Sequence, residues 1–163
     1  MIFTLVLEGL AMCLMLTMLC IIGTKDGAAG MAFFYKKPVQ DKAIAQGLTT
    51  AETIKRRLNG FRLISSILMI VLTILFVYVF NGARGFVDGF LQMLFIYAIM
   101  CVYDKLFIDT YWVGHTKAWI IPGTEEFMPY IPARMVLIKL AVSLIMYPAT
   151  AAIIALVMSF ILK

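Results

Sequence analysis

Four apolar stretches, residues 2–22, 63–80, 86–103 and 135–162, constrain this chain more than any other feature. A helix rises 1.5 Å per residue, so about 20 apolar residues cross a hydrocarbon core of about 30 Å. Each stretch reaches or approaches that length. Taken whole, the chain is 63% hydrophobic, against about 45–50% for a soluble domain. A soluble core of 163 residues cannot hide the surplus. The expected fold is therefore all-α: a polytopic membrane protein with four transmembrane helices. It has a short helix in the first loop, an interfacial second loop, and no separate soluble domain. Residues 1–22 carry no base before Lys25, and their apolar run exceeds the 7–15 residues of a signal-peptide core. They read as a retained first span.

Charge fixes the expected orientation. Eight bases lie between Lys25 and Arg62, opposed only by Asp26, Asp41 and Glu52. Basic loops stay on the cytoplasmic side. That places loop 24–62 and loop 104–134 inside, and both termini outside, Lys163 with them. Lys36, Lys37, Lys55, Arg56, Arg57 and Arg62 are expected to touch anionic lipid headgroups, each near the surface worth about 1 kcal/mol. Lipid is the nearer negative surface, and no nucleic-acid partner is expected. Cys13, Cys20 and Cys101 all fall within spans, where a structural disulfide is not expected.

Within the first loop, Gly23, Gly27 and Gly30 lie at i, i+4 and i+7. No strand precedes them, so they fail as a phosphate loop. They fit close helix approach or a plain loop. Phe33-Phe34-Tyr35-Lys36-Lys37 reads as an interfacial anchor. Pro38 and Gly47 bracket a short helix. Thr49 and Glu52 stand in capping-box register. Ile54, Leu58 and Phe61 give the lead-in to the second span an apolar face. Pro148 is expected to bend the long last span. Glu8 and Lys139 are expected to snorkel to opposite faces.

Residues 103–130 hold Asp104, Asp109, Glu125 and Glu126, the single histidine His115, and both tryptophans, Trp112 and Trp119. If the third helix continues, Asp104, Tyr111 and His115 share a face. Lys105, Asp109 and Trp112 lie on the next, with Lys105 and Asp109 spaced to pair. Carboxylates cost about 2.5–3.5 kcal/mol at a bilayer centre, so a solvated loop rimmed by Trp112, Trp119, Phe127 and Tyr130 is the plainest reading. The alternative is a site in which Asp104, Asp109, His115, Glu125 and Glu126 run acid–base chemistry on a lipid-like substrate or hold a cation. The pair Trp112 and His115 ahead of Ile121-Pro122-Gly123-Thr124-Glu125-Glu126, together with FFYKKPVQ and GLTT upstream, resembles small bacterial integral membrane proteins of unassigned function. That resemblance implies a bacterial cytoplasmic membrane and no activity.

Met12, Met15, Met18, Cys13 and Cys20 in the first span are soft ligands of the kind copper(I) takes. Methionine is also ordinary apolar filler, and no cofactor is expected. Three functions stay open. The first is a non-enzymatic subunit or scaffold that meets a partner protein or a second copy. The second is a membrane-embedded enzyme. The third is a small transporter or metal carrier.

Overall fold

The computed structural model describes residues 1–162; Lys163 lies outside them. The described residues are helical with no strand. Helix α1 spans Ile2–Gly23, α2 spans Lys37–Ala45, α3 spans Ala51–Phe80, α4 spans Gly85–His115 and α5 spans Ala133–Ile161. Helices α1, α3, α4 and α5 are long and apolar enough to cross a membrane. Short 3₁₀ turns at Ala28–Phe34, Lys117–Trp119 and Glu125–Phe127 join them.

Helix α4 is the centre of the bundle and packs on α1 and α5. Gly9 allows the α1 contact, since a Cβ there would lie 2.9 Å from the Cβ of Ile99. Small residues at such crossings bring backbones close enough for dispersion to hold helices together in lipid. Leu5, Met12, Met93, Ile96, Tyr97 and Ala151 form the core of this half.

A second core lies beyond the other end of the bundle. Helices α3 and α4 contain 30 and 31 residues, about 45 Å each, so both outrun the hydrocarbon. Their projecting turns, α2 and the 3₁₀ turns fold together as a cap. Tyr35, Val39, Trp119, Ile121 and Tyr130 are buried there. The Tyr35 hydroxyl donates to the Trp119 carbonyl at 2.8 Å, and its ring lies 4.7 Å from that of Tyr130. Burial pushes the Tyr35 hydroxyl above the usual tyrosine range, so it stays a donor. Lys42 bonds Glu126 at 2.7 Å, which ties the two long loops together.

Several expectations are corrected here. Residues 104–115 continue α4 and are not loop. Trp119 and Tyr130 are fully buried and do not mark an interface, and Tyr35 is a core residue of the cap rather than a headgroup anchor. Their apolar bodies fill space between the loops, and the two tyrosine hydroxyls find partners within the cap, Tyr35 at the Trp119 carbonyl and Tyr130 at the Thr124 hydroxyl. The capping box is displaced by one residue: Thr50 is the N-cap, and its hydroxyl accepts from the Thr53 amide at 3.1 Å. Glu52 thus falls one place short of closing the box. Pro148 stands inside α5, and the helix runs through it. The short helix starts at Lys37 with Pro38 in its first turn, and Gly47 follows its end at φ +71°. Gly23 and Gly30 do mark a close approach, of the 3₁₀ turn on α1: a Cβ on Gly30 would lie 2.6 Å from the Gly23 carbonyl.

Candidate functional site

The apolar run of α3 begins at Leu63, just past Arg62, and that of α4 ends at Tyr103. Ser65 on α3 and Asp104 on α4 thus both lie at the cap-side edge of the hydrocarbon. From Asp104 to Trp112 the helix is wound as a π-helix. At its end the Val113 amide donates to the Ile108 carbonyl, five residues back, and the Thr110 hydroxyl also reaches the Lys105 carbonyl at 2.7 Å. Backbone windings of this i→i+5 type recur at functional sites in other helices.

The winding gathers four ionisable side chains. Asp109 is 6% exposed; it accepts from Lys139 of α5 at 2.8 Å through Oδ1 and from Lys105 at 3.3 Å through Oδ2. Lys105, 10% exposed, also bonds Asp104 Oδ2. Asp104 is 18% exposed and Lys139 29%. The Lys139 ammonium sits 5.7 Å from the centre of the Phe34 ring, within cation–π range. Two carboxylates and two ammoniums sum to zero charge. Charges taken this far out of water persist only when paired and hydrogen-bonded.

These groups line a cavity of about 290 Å³. Met15, Leu16 and Cys20 of α1 form one wall and Ser65, Ser66 and Met69 of α3 another. Phe34 belongs to the cap side, and Tyr147 of α5 completes the opposite wall. Helix α3 packs on the Ala28–Phe34 turn and on α1, and makes almost no contact with α5. Helices α3 and α5 both line the cavity without packing closely on each other, which leaves a gap between them.

The sequence candidates separate. Asp104 and Asp109 face the cavity. His115 is exposed, its Nδ1 2.7 Å from the Thr110 carbonyl. Glu125 and Glu126 lie on the cap. Backbone N–H groups of Glu125 itself and Gly123 hold the Glu125 carboxyl below the usual range. The five candidates therefore form no single site. Lys139 does not snorkel; a partner within reach is cheaper than a free ammonium at this depth. Glu8 is also buried, accepting from the Asn81 amide at 3.0 Å, and Asn81 donates onward to Gln92. Gln92 in turn donates to Asp88 at 2.8 Å. The soft ligands do not converge: Met12 belongs to the bundle core, Met15 faces the cavity, Met18 is exposed, and Cys20 belongs to the cap core. Cys13, Cys20 and Cys101 are buried free thiols. Among the described residues no group of His, Cys, Asp or Glu side chains is arranged to hold a metal ion.

Sequence reasoning missed Lys139, Ser66 and Tyr147. Only Lys139 carried a signal. An ammonium six residues into a spanning helix calls for an anion, and the pattern offers Asp109, spaced to pair with Lys105. Comparison with protein-family models, with characterised proteins and with solved structures finds no match for this chain.

Proposed function

We propose that this is an integral protein of a bacterial cytoplasmic membrane, with its cap on the cytoplasmic side and both termini outside. In this reading it binds the polar head of an amphiphile drawn sideways from the bilayer. The observation that carries the reading is the cavity. Its walls are mostly apolar, four paired charges stand at its polar end, and it lies at headgroup depth beside a gap between two spans. Intramembrane ionisable residues facing a cavity mark substrate paths by default. Binding is favoured over catalysis, because both cavity carboxylates are engaged by lysines and His115 lies outside the cavity. The basic side chains support the orientation. Lys36, Lys37, Lys55, Arg56 and Arg62 are exposed, Lys37 paired with Asp41 and Arg57 with Asp26. In this reading they anchor the cap on anionic headgroups.

Native mass spectrometry of protein purified in mild detergent tests the binding reading. One amphiphile per chain should survive delipidation in the wild type and be lost from Ser66→Trp, which blocks the gap. Equal retention by both, or none by the wild type, rejects it. Orientation is tested by Lys37→Cys, which an impermeant maleimide should label only after the membrane is opened from the cytoplasmic side.

A further inference from the structure

Resting on that amphiphile-binding reading, we infer that the cavity selects a headgroup joining a primary ammonium to a phosphate, an aminoalkyl phosphodiester, over anionic and quaternary-ammonium heads. The inference follows from which bonding capacity the quartet leaves unused. Both oxygens of Asp109 are taken, and Lys105 is held between two carboxylates. What remains toward the cavity is Asp104 Oδ1 and the further N–H groups of Lys139, since an ammonium carries three donors. Asp104 Oδ1 is an acceptor on a charged group and Lys139 a charged donor, so the cavity offers one free site of each sign.

A purely anionic head does not fit this pattern. Each lysine already has a carboxylate, so a second anion meets a neutral quartet and adds repulsion from Asp104 and Asp109. A primary ammonium satisfies Asp104 Oδ1 through a charge-assisted hydrogen bond. A quaternary one has no N–H to give. The phosphate oxygens accept from Lys139, whose position is fixed by Asp109 on one side and the Phe34 ring on the other. Ser66 and Tyr147 bring hydroxyls to the same space. At about 290 Å³ the cavity is at the small end of ligand sites. It holds a head, and the acyl chains stay in the gap between α3 and α5.

The test uses the full chain, delipidated in detergent and offered equal amounts of phosphatidylethanolamine, phosphatidylglycerol and phosphatidylcholine of matched chains, read by native mass spectrometry. The expected result is one retained phosphatidylethanolamine, favoured about tenfold or more over each competitor, the worth of one hydrogen bond to a charged group. On the wild type alone, retention should fall along the N-methyl, N,N-dimethyl and N,N,N-trimethyl series, and most at the third methyl, which removes the last N–H. Asp104→Asn should bring the ethanolamine-to-glycerol ratio to about one, and the wild-type methyl series stands even if that variant folds poorly. Preference for phosphatidylglycerol, or indifference to N-methylation, overturns the headgroup inference while leaving the cavity reading intact. Retention of no lipid at all overturns both. Glycerophosphoethanolamine, the same head without chains, is expected not to displace the lipid at millimolar concentration. Displacement would move the source from membrane lipid to a water-soluble aminoalkyl phosphate and overturn the lateral route.

Discussion

Asp109→Asn is the sharpest perturbation of the quartet, because it keeps the shape and one acceptor and removes only the charge. Asp109 is the common partner of Lys105 and Lys139 and the most buried of the four. Removing one member of a buried ion pair costs about 3–5 kcal/mol, since the other charge stays behind. Two features set this case at the low end. Lys105 retains Asp104, and Lys139, with 29% of its side chain exposed, can turn toward the gap. The expected loss is about 3 kcal/mol. Lys139→Gln made on top of Asp109→Asn should then cost much less than in the wild type, giving a coupling of about 2 kcal/mol. The assay is unfolding in mixed micelles by rising dodecyl sulfate, followed by the fluorescence of Trp112 and Trp119 at the same end of the bundle. A single-variant loss below about 1 kcal/mol, or a cycle additive within about 0.5 kcal/mol, refutes the argument that the quartet is energetically coupled.

Glycines give a paired prediction by the same assay. Gly9→Ala, whose Cβ would meet Ile99 inside van der Waals distance, should cost about 1–3 kcal/mol by overpacking, whereas Gly60→Ala, with nothing near, should gain up to about 1 kcal/mol of helix propensity. Glu8→Ala should cost about 1–3 kcal/mol by leaving the Asn81 amide without its partner on α1. The Tyr35 hydroxyl is raised by burial, so the folded state holds its proton more tightly than the unfolded one. Its contribution is complete below the ordinary tyrosine value of about 10 and is lost as pH rises beyond it. Cap stability should fall by up to about 1.4 kcal/mol per pH unit there, and Tyr35→Phe should remove that part of the slope.

The spans were legible because lipid leaves little choice: an apolar run of the right length has to be a helix. Hydropathy did not give their ends: it reports where hydrocarbon stops, and α3 and α4 each continue for 12 residues past that limit, from Ala51 to Arg62 and from Asp104 to His115. The first extension was still legible, from the capping threonines and the apolar face of Ile54, Leu58 and Phe61, whereas nothing in the pattern decided that α4 ran on to His115. The cap was illegible for a related reason. Tyr35, Trp119 and Tyr130 are the residue types that decorate membrane interfaces, and composition cannot distinguish a ring lying among headgroups from one packed under a neighbouring loop. Their burial depends on contacts between segments some 85 residues apart, such as the bond from Tyr35 to Trp119.

The site itself turns on winding. On an α-helix of 3.6 residues per turn, Asp104 and Asp109 are separated by about 140° around the axis, and a wheel drawn that way sends Asp104 toward His115 and away from Asp109. A π turn closes its bonds five residues apart, and five is the spacing of these two carboxylates. The wider turn stacks them, and Lys105 bridges both. The sequence contains the residues and even the i, i+4 pair, but not the register that makes them neighbours. The quartet in turn steadies that register. Two carboxylates brought to one face would repel without Lys105 between them and Lys139 arriving from α5. Bound together, they form a neutral group that can lie at the edge of the hydrocarbon, still offering one acceptor and one donor to whatever enters between α3 and α5.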